Sequence, residues 1–332
     1  MKIATFTHEG SERTGIVEGS RVYPLPEGTT ALQLARLGLE RALEQGAAAV
    51  ASGQADGSAL QLDAVRLLPP IQPTTMRDFV AFEEHVEGMV KSGGPDNKVS
   101  AEWYQAPTFY FTNPHTLRAT GDDIPRPGDS ERLDFELEVG AIIGRVEGSD
   151  GRDLTPEQAQ EHIFGYTVFN DWSARDLQSR EMRVNLGPCK GKDFASTIGP
   201  WIVTADEFAA LHDEEGFLPI AMTVWINGEL YGQDLLSNMG WPLRELIAYA
   251  SRNSVVVPGD LLGSGTAGHG CLGELWGRNG DRSNPPSLQP GDVVRMEVEG
   301  IGAIENRVVA GRTLPPVSPA RIRPRNRSRV EA

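Results

Sequence analysis

The sequence predicts an α+β protein, predominantly β, with a small N-terminal unit ahead of a larger β-rich one. Three observations carry this: strand-like runs separated by turns, few stretches with helical periodicity, and a proline-rich break near residue 70. Strands that are not separated by regular helices argue against a doubly wound parallel sheet.

Residues 2–25 alternate strand-like runs (Ile3 to Thr7, Thr14 to Val17, Arg21 to Leu25) with turns at Gly10 and at Gly19-Ser20, a small antiparallel pattern. Thr29 to Ala51 is rich in alanine and leucine, and Leu32, Leu34, Leu37, Leu39 and Leu43 predict a helix. Leu67-Leu68-Pro69-Pro70-Ile71-Gln72-Pro73 then stiffens the chain, since each proline fixes its own φ and restricts the residue before it. The expected units are therefore 1–70, 71–316 and a basic tail, 317–332. Beyond the break, strands are predicted at Glu136 to Ile143, Gly165 to Asn170, Trp201 to Thr204, Ala221 to Asn227, Val293 to Val298 and Arg307 to Val309. Asn227-Gly228 marks a tight hairpin. Helices are expected chiefly at Thr155 to His162 and Pro242 to Ala250.

Composition narrows the function classes. The 332 residues carry a formal charge of −15, which repels nucleic acid and anionic lipid over most of the surface. The exception is Arg321 to Arg329, expected to be a frayed, solvated end. No signal-peptide core follows Met1, and no run approaches the ~18 apolar residues of a membrane span. Two cysteines, Cys189 and Cys271, are too few for a disulfide framework and fit a cytoplasmic location. The expected partner is a small molecule, with no nucleic acid and no membrane.

Acidic residues supply the candidate site. In Leu133-Asp134-Phe135-Glu136-Leu137-Glu138-Val139-Gly140, Glu136 and Glu138 share one strand face, roughly 6.6 Å apart at about 3.3 Å per residue. Alone, that is an edge strand with one wet face. Asp171, in Phe169-Asn170-Asp171-Trp172, adds a carboxylate beside an apolar strand. Gathered carboxylates repel, and removing them from water costs several kcal/mol each unless compensated. A divalent cation compensates them. With oxygen donors and no Cys or His at zinc spacing nearby, the cation is Mg²⁺ first, with Ca²⁺ or Mn²⁺ as alternatives. Gly263-Ser264-Gly265-Thr266-Ala267-Gly268 fits G-x-G-x-x-G literally, but the glycines and prolines that follow exclude a long helix, and no βαβ pattern surrounds it. A tight loop approaching a ligand is the expected role.

Asn170-Asp171-Trp172-Ser173-Ala174-Arg175-Asp176 resembles the fumarylacetoacetate hydrolase family. The likeness continues through Leu186-Gly187-Pro188, Gly191-Lys192-Asp193-Phe194, Gly199-Pro200-Trp201, Gly259 to Thr266 and Glu299-Gly300-Ile301-Gly302, and so covers about residues 70–310. The resemblance implies a mixed β-roll or β-sandwich behind a small N-terminal domain, assembled as a homodimer. It assigns Glu136, Glu138 and Asp171 to the metal, with Asp78 as a fourth ligand. It makes His85 the catalytic base, Glu274 its orienting partner and Lys192 a catalytic contact. Gln178, Tyr110 and Thr266 fall on substrate-binding positions.

The implied reaction is hydrolysis of a carbon–carbon bond in a 1,3-dicarbonyl compound of the acylpyruvate or fumarylacetoacetate type, in catabolism of aromatic or related compounds. The alternatives are hydration or isomerisation of a 2-oxo-enoate, β-keto acid decarboxylation on the same site, or a non-catalytic binding protein. Val80 and Lys91-Ser92-Gly93-Gly94 depart from the members that hold fumarylacetoacetate itself. Hydratase, isomerase and decarboxylase members carry a glutamate three residues after the lid histidine. Here that position is Gly88, which favours the hydrolytic branch.

Overall fold

A computed structural model describes residues 1–323. The expectation for the basic tail falls mostly on residues outside that range; Arg321 and Arg323, within it, are exposed.

Two large sheets and a two-stranded one, Leu133–Asp134 with Ser173–Ala174, organise the described residues. The larger has twelve strands and begins at the N-terminus: Leu60–Gln61, Arg21–Pro24, Ser11–Glu18 and Lys2–His8 lie side by side. It continues through Ser196–Thr204, Ile163–Asp171, Leu137–Ile143, Leu261–Gly263, Met76–Phe79 and Phe109–Thr112. The N-terminal strands thus extend the sheet that carries the acidic residues, joined where Lys2 meets Val203 and Ile3 meets Ile202. The second sheet has five strands, in the order Glu229–Leu235, Ala221–Ile226, Val293–Val298, Gly302–Val309 and Asp123–Pro125. Most pairings are antiparallel, but Leu261–Gly263 runs parallel to Met76–Phe79, so the large sheet is mixed.

Alternation along the central strands builds two cores. Val139, Ala141 and Ile143 face the five-stranded sheet with Tyr166 and Val168, meeting Met222, Val224, Met296 and Ile304. Ile142, Phe164 and Phe169 point the other way, into a core shared with Leu34, Ala35 and Ala42 of the N-terminal helices. Strand Leu137–Ile143 is buried on both sides along its whole length, which explains its nearly continuous apolar sequence.

Among the described residues seven α-helices cover these layers: α1 (Ala31–Leu37), α2 (Leu39–Asp56), α3 (Glu83–Val90), α4 (Pro156–Glu161), α5 (Arg175–Met182), α6 (Leu243–Ser251) and α7 (Leu272–Asn279). The helix expected over Thr29 to Ala51 is two helices. Gly38, at φ 92°, ends α1, and α2 then continues to Asp56. Helices α3, α5 and α7 are additions to the sequence reading. Each has eight residues; α5, Arg-Asp-Leu-Gln-Ser-Arg-Glu-Met, offers little apolar period, and α7 contains two glycines. A short helix therefore does follow the Gly263 to Gly268 loop. Asn227 and Gly228 both take positive φ, 53° and 82°, as a two-residue hairpin requires.

Thr155 caps α4 by accepting from the Gln158 N–H at 3.3 Å, while the Gln158 side chain accepts from the Thr155 N–H at 3.0 Å. Thr155→Ala is expected to lower unfolding free energy by about 1 kcal/mol, read from the urea midpoint, without altering cation affinity.

Candidate metal centre and its histidine

The acidic residues converge at one end of the large sheet. Thr167, Gly140, Gly263, Asp78 and Tyr110 form one row across neighbouring strands, with Glu138 opposite Phe169 and Asp171 opposite Ser196 nearby. One glycine in that row, Gly263, leaves room for acids. A Cβ on Gly263 would lie 2.4 Å from Asp78 Oδ1 and 2.9 Å from Glu138 Oε2, so only glycine admits both carboxylates.

Glu136 departs from expectation. The strand begins at Leu137, and Glu136 occupies the break between it and Leu133–Asp134. Its N–H donates to the Asn170 side chain at 3.0 Å, and its carbonyl accepts from the Asp171 N–H at 3.3 Å. Glu136 and Glu138 therefore do not sit as successive same-face residues of one regular strand. Asp78, Glu136 and Asp171 bring carboxylate oxygens within 4.8 Å of one another, all three buried. Glu138 is outside that trio; it accepts from the Gly265 N–H at 3.1 Å and the Thr266 hydroxyl at 3.4 Å.

Four buried carboxylates face few cations. Lys192 bonds to Glu136 and lies 2.8 Å from Asp171. Arg175 Nε donates to Asp134 at 2.8 Å, and its Nη2 sits 2.8 Å from Glu136 Oε1, close enough to pair but off hydrogen-bond alignment. Burial pulls the Glu136 pKa upward, but the Lys192 and Arg175 charges outweigh it and hold it at about 2. Elsewhere burial prevails. It pushes Asp78 well above the carboxylate range, helped by the Asp171 charge, and Glu138 likewise, helped by Asp78. Asp171 is raised by burial against the opposing pull of Lys192, and Tyr110, which donates to Asp171, is raised well above the usual phenol value by burial and then by that carboxylate.

Asp78 Oδ1 and Asp171 Oδ1 are buried without any hydrogen-bond partner. Orphaned buried carboxylate oxygens are costly, and a hard divalent cation would satisfy them. The oxygen-rich donor set fits such an ion.

Next to this cluster stands the histidine. His85 lies on α3 and is buried; its Nδ1 is 3.1 Å from Glu274 Oε1 on α7. The other Glu274 oxygen accepts from the His269 N–H at 2.9 Å. The helices approach closely because glycines line their contact. A Cβ on Gly88 would fall 3.0 Å from Glu274 Cβ and Cγ, and one on Gly277 would strike the Gly88 carbonyl. Gly88 is thus the space through which Glu274 reaches His85. Gln178, half-buried on α5, accepts from Arg175 Nη1 at 3.1 Å, leaving its amide N–H groups free.

Two residues that matter here were not singled out from the sequence. Asp134 accepts from the Leu272 and Gly273 N–H groups at 2.8 and 3.0 Å, capping α7 from a distant strand. Arg175 joins Asp134 to Glu136, and so ties the Glu274 helix to the acidic cluster. The Arg175 position within the Asn170 to Asp176 motif was the available signal.

A family model described as "Fumarylacetoacetate (FAA) hydrolase C-terminal" matches residues 74–309. The chain belongs to that family. A second, "Rv2993c-like, N-terminal", matches residues 1–70. The fumarylacetoacetase of Arabidopsis thaliana is 32% identical over 260 residues, covering 65% of this chain and 61% of that protein. The chain spans about six tenths of the length of the curated fumarylacetoacetases it first matches. A solved fumarylacetoacetate hydrolase from Exiguobacterium antarcticum superposes with a TM-score of 0.68 at 29% identity, over 93% of this chain and 99% of that one. Maleylpyruvate hydrolase from Sphingobium sp. SYK-6, solved with manganese(II) and pyruvate, shares the fold at a TM-score of 0.67 and 21% identity, over 94% and 100%. These family relatives are named as enzymes.

Arg175→Leu removes one partner of two buried ion pairs and is expected to destabilise the fold by about 3–5 kcal/mol, measured by denaturant unfolding. Gly88→Ala should cost about 1–3 kcal/mol by overpacking, with a larger loss in turnover than in cation affinity, since Glu274 must give way.

Proposed function

We propose that this chain is a divalent-cation-dependent hydrolase that cleaves a carbon–carbon bond in a 1,3-dicarbonyl compound of the acylpyruvate or fumarylacetoacetate type. The observation that carries this reading is the buried His85–Glu274 pair set beside the carboxylate cluster. Asp78, Glu136, Glu138 and Asp171 would hold the cation, with Mg²⁺ the first choice and Mn²⁺ or Ca²⁺ able to use the same oxygens. When bound, the cation supplies Lewis acidity that stabilises negative charge developing on the diketone oxygens.

The residues around it divide the remaining work. Glu274 accepts the Nδ1 hydrogen of His85 and so fixes the tautomer with Nε2 free to take a proton. His85 draws that proton from water, and the hydroxide adds to one carbonyl. The Lys192 ammonium, held between Glu136 and Asp171, and the free amide of Gln178 face the charge that builds on oxygen. The carbon–carbon bond then breaks, and the departing enolate carbon recovers its proton from His85. Tyr110 and Thr266, bonded to Asp171 and Glu138, orient the acids and border the substrate.

Gly88 supports hydrolysis over the hydratase, isomerase and decarboxylase alternatives: the position where those members carry a glutamate is filled here by the approach of Glu274. Incubation with Mg²⁺ or Mn²⁺ should split acylpyruvates into two organic fragments, and metal-free protein should be inactive. Faster release of CO₂ from oxaloacetate would overturn the hydrolase reading. His85→Gln should lower turnover by at least about 10²-fold while Mg²⁺ still binds. A Glu136→Ala, Glu138→Ala double variant that kept its Mg²⁺ affinity would remove the cation site from the proposal.

A further inference from the structure

The reaction proposed above uses His85 and Glu274 but leaves a third group beside them idle. Cys271, fully buried immediately before α7, places its Sγ 3.7 Å from His85 Nδ1. Donor atoms of His85, Cys271 and Glu274 all lie within 4.8 Å of one another, and all three residues are buried. Around a tetrahedral zinc, with bonds of roughly 2.0–2.3 Å, neighbouring donors stand roughly 3.3–3.8 Å apart. The observed 3.7 Å from histidine to cysteine and 3.1 Å from histidine to glutamate are near that spacing.

We propose that His85, Cys271 and Glu274 form a second metal site, selective for a softer divalent cation of the zinc type, and that its occupation switches the enzyme off. Nitrogen, thiolate and carboxylate donors suit Zn²⁺, whereas the all-oxygen cluster suits a hard ion. Cys271 binds as the thiolate, its proton passing to solvent, and water fills the fourth position. The zinc ion takes the Nδ1 lone pair of His85, so the ring hydrogen resides on Nε2. The nitrogen that must accept a proton from water then already carries one. The same ion draws Glu274 from its orienting role. Inhibition should therefore persist with the oxygen cluster saturated by Mg²⁺, because the two cations occupy different donors.

The inhibitory consequence rests on the reading of His85 as the base; the metal site itself does not, and a spectroscopic measurement separates them. The parent protein is Cys189→Ser, because Cys189 is an exposed thiol that could bind metal on its own. With Mg²⁺ saturating, Co²⁺ is added as a stand-in with visible and near-ultraviolet bands. One equivalent is expected to produce thiolate-to-cobalt charge transfer, displaced one-for-one by Zn²⁺. The band should vanish in Cys189→Ser, Cys271→Ser and in Cys189→Ser, Cys271→Ala, each checked for native unfolding behaviour.

In the turnover assay, Zn²⁺ should inhibit the parent at concentrations excess Mg²⁺ does not reverse, and Cys271→Ser should raise the inhibitory concentration at least about tenfold. Absence of the charge-transfer band in the parent, or its survival without Cys271, overturns the site. A band present with no zinc inhibition of turnover overturns the switch and, with it, the part assigned to His85.

Discussion

Carboxylates buried without enough positive charge around them constrain most of this structure. Asp78, Glu136, Glu138 and Asp171 come from three different stretches of chain and meet in a space from which water is largely excluded. Lys192 and Arg175 answer the charge of Glu136, while burial keeps the pKa values of Asp78 and Glu138 raised. The surrounding architecture accommodates this tension: a glycine opens the sheet row at Gly263, backbone N–H groups are aimed at Glu138 and at Asp134, and Lys192 is sunk into the core. Such a cluster costs stability unless a cation completes it, which is a reason to look for chemistry there.

The second organising element is the tether between this cluster and the histidine. Asp134 caps α7, Arg175 grips Asp134 and Glu136, and Glu274 on α7 holds His85. Position and charge are thereby set by the same residues. The acidic cluster, α7 and His85 are thus joined by contiguous contacts, through the Arg175 guanidinium and the glycine contact between α3 and α7.

Much of this was legible in the sequence, because strands and turns announce themselves through alternation and through residues such as Asn227-Gly228. The Asn170 to Asp176 run pointed to the family, and the resemblance added Asp78, His85 and Glu274 to the three acids read from the residues themselves. What sequence could not convey was of two kinds. The short helices α3, α5 and α7, each only eight residues long, draw their stability from tertiary packing and leave a weak local signal. The exact seat of Glu136, off the regular strand and bonded to Asn170, follows from pairing between segments distant in sequence. The Asp134 cap and the proximity of Cys271 to His85 likewise depend on residues more than a hundred positions apart meeting in space.

The continuity of the large sheet carries one more implication. Lys2–His8 lies against Ser196–Thr204, whose first residue stands opposite Asp171. If residues 1–70 were cut away, Ile202 and Val203 of that strand would lose their outer partners and expose unpaired backbone groups, while Ser196 and Thr197 would stay paired with Leu117 and Arg118. The N-terminal unit thus covers the far end of that strand, and its own strands carry the large sheet on to Leu60–Gln61.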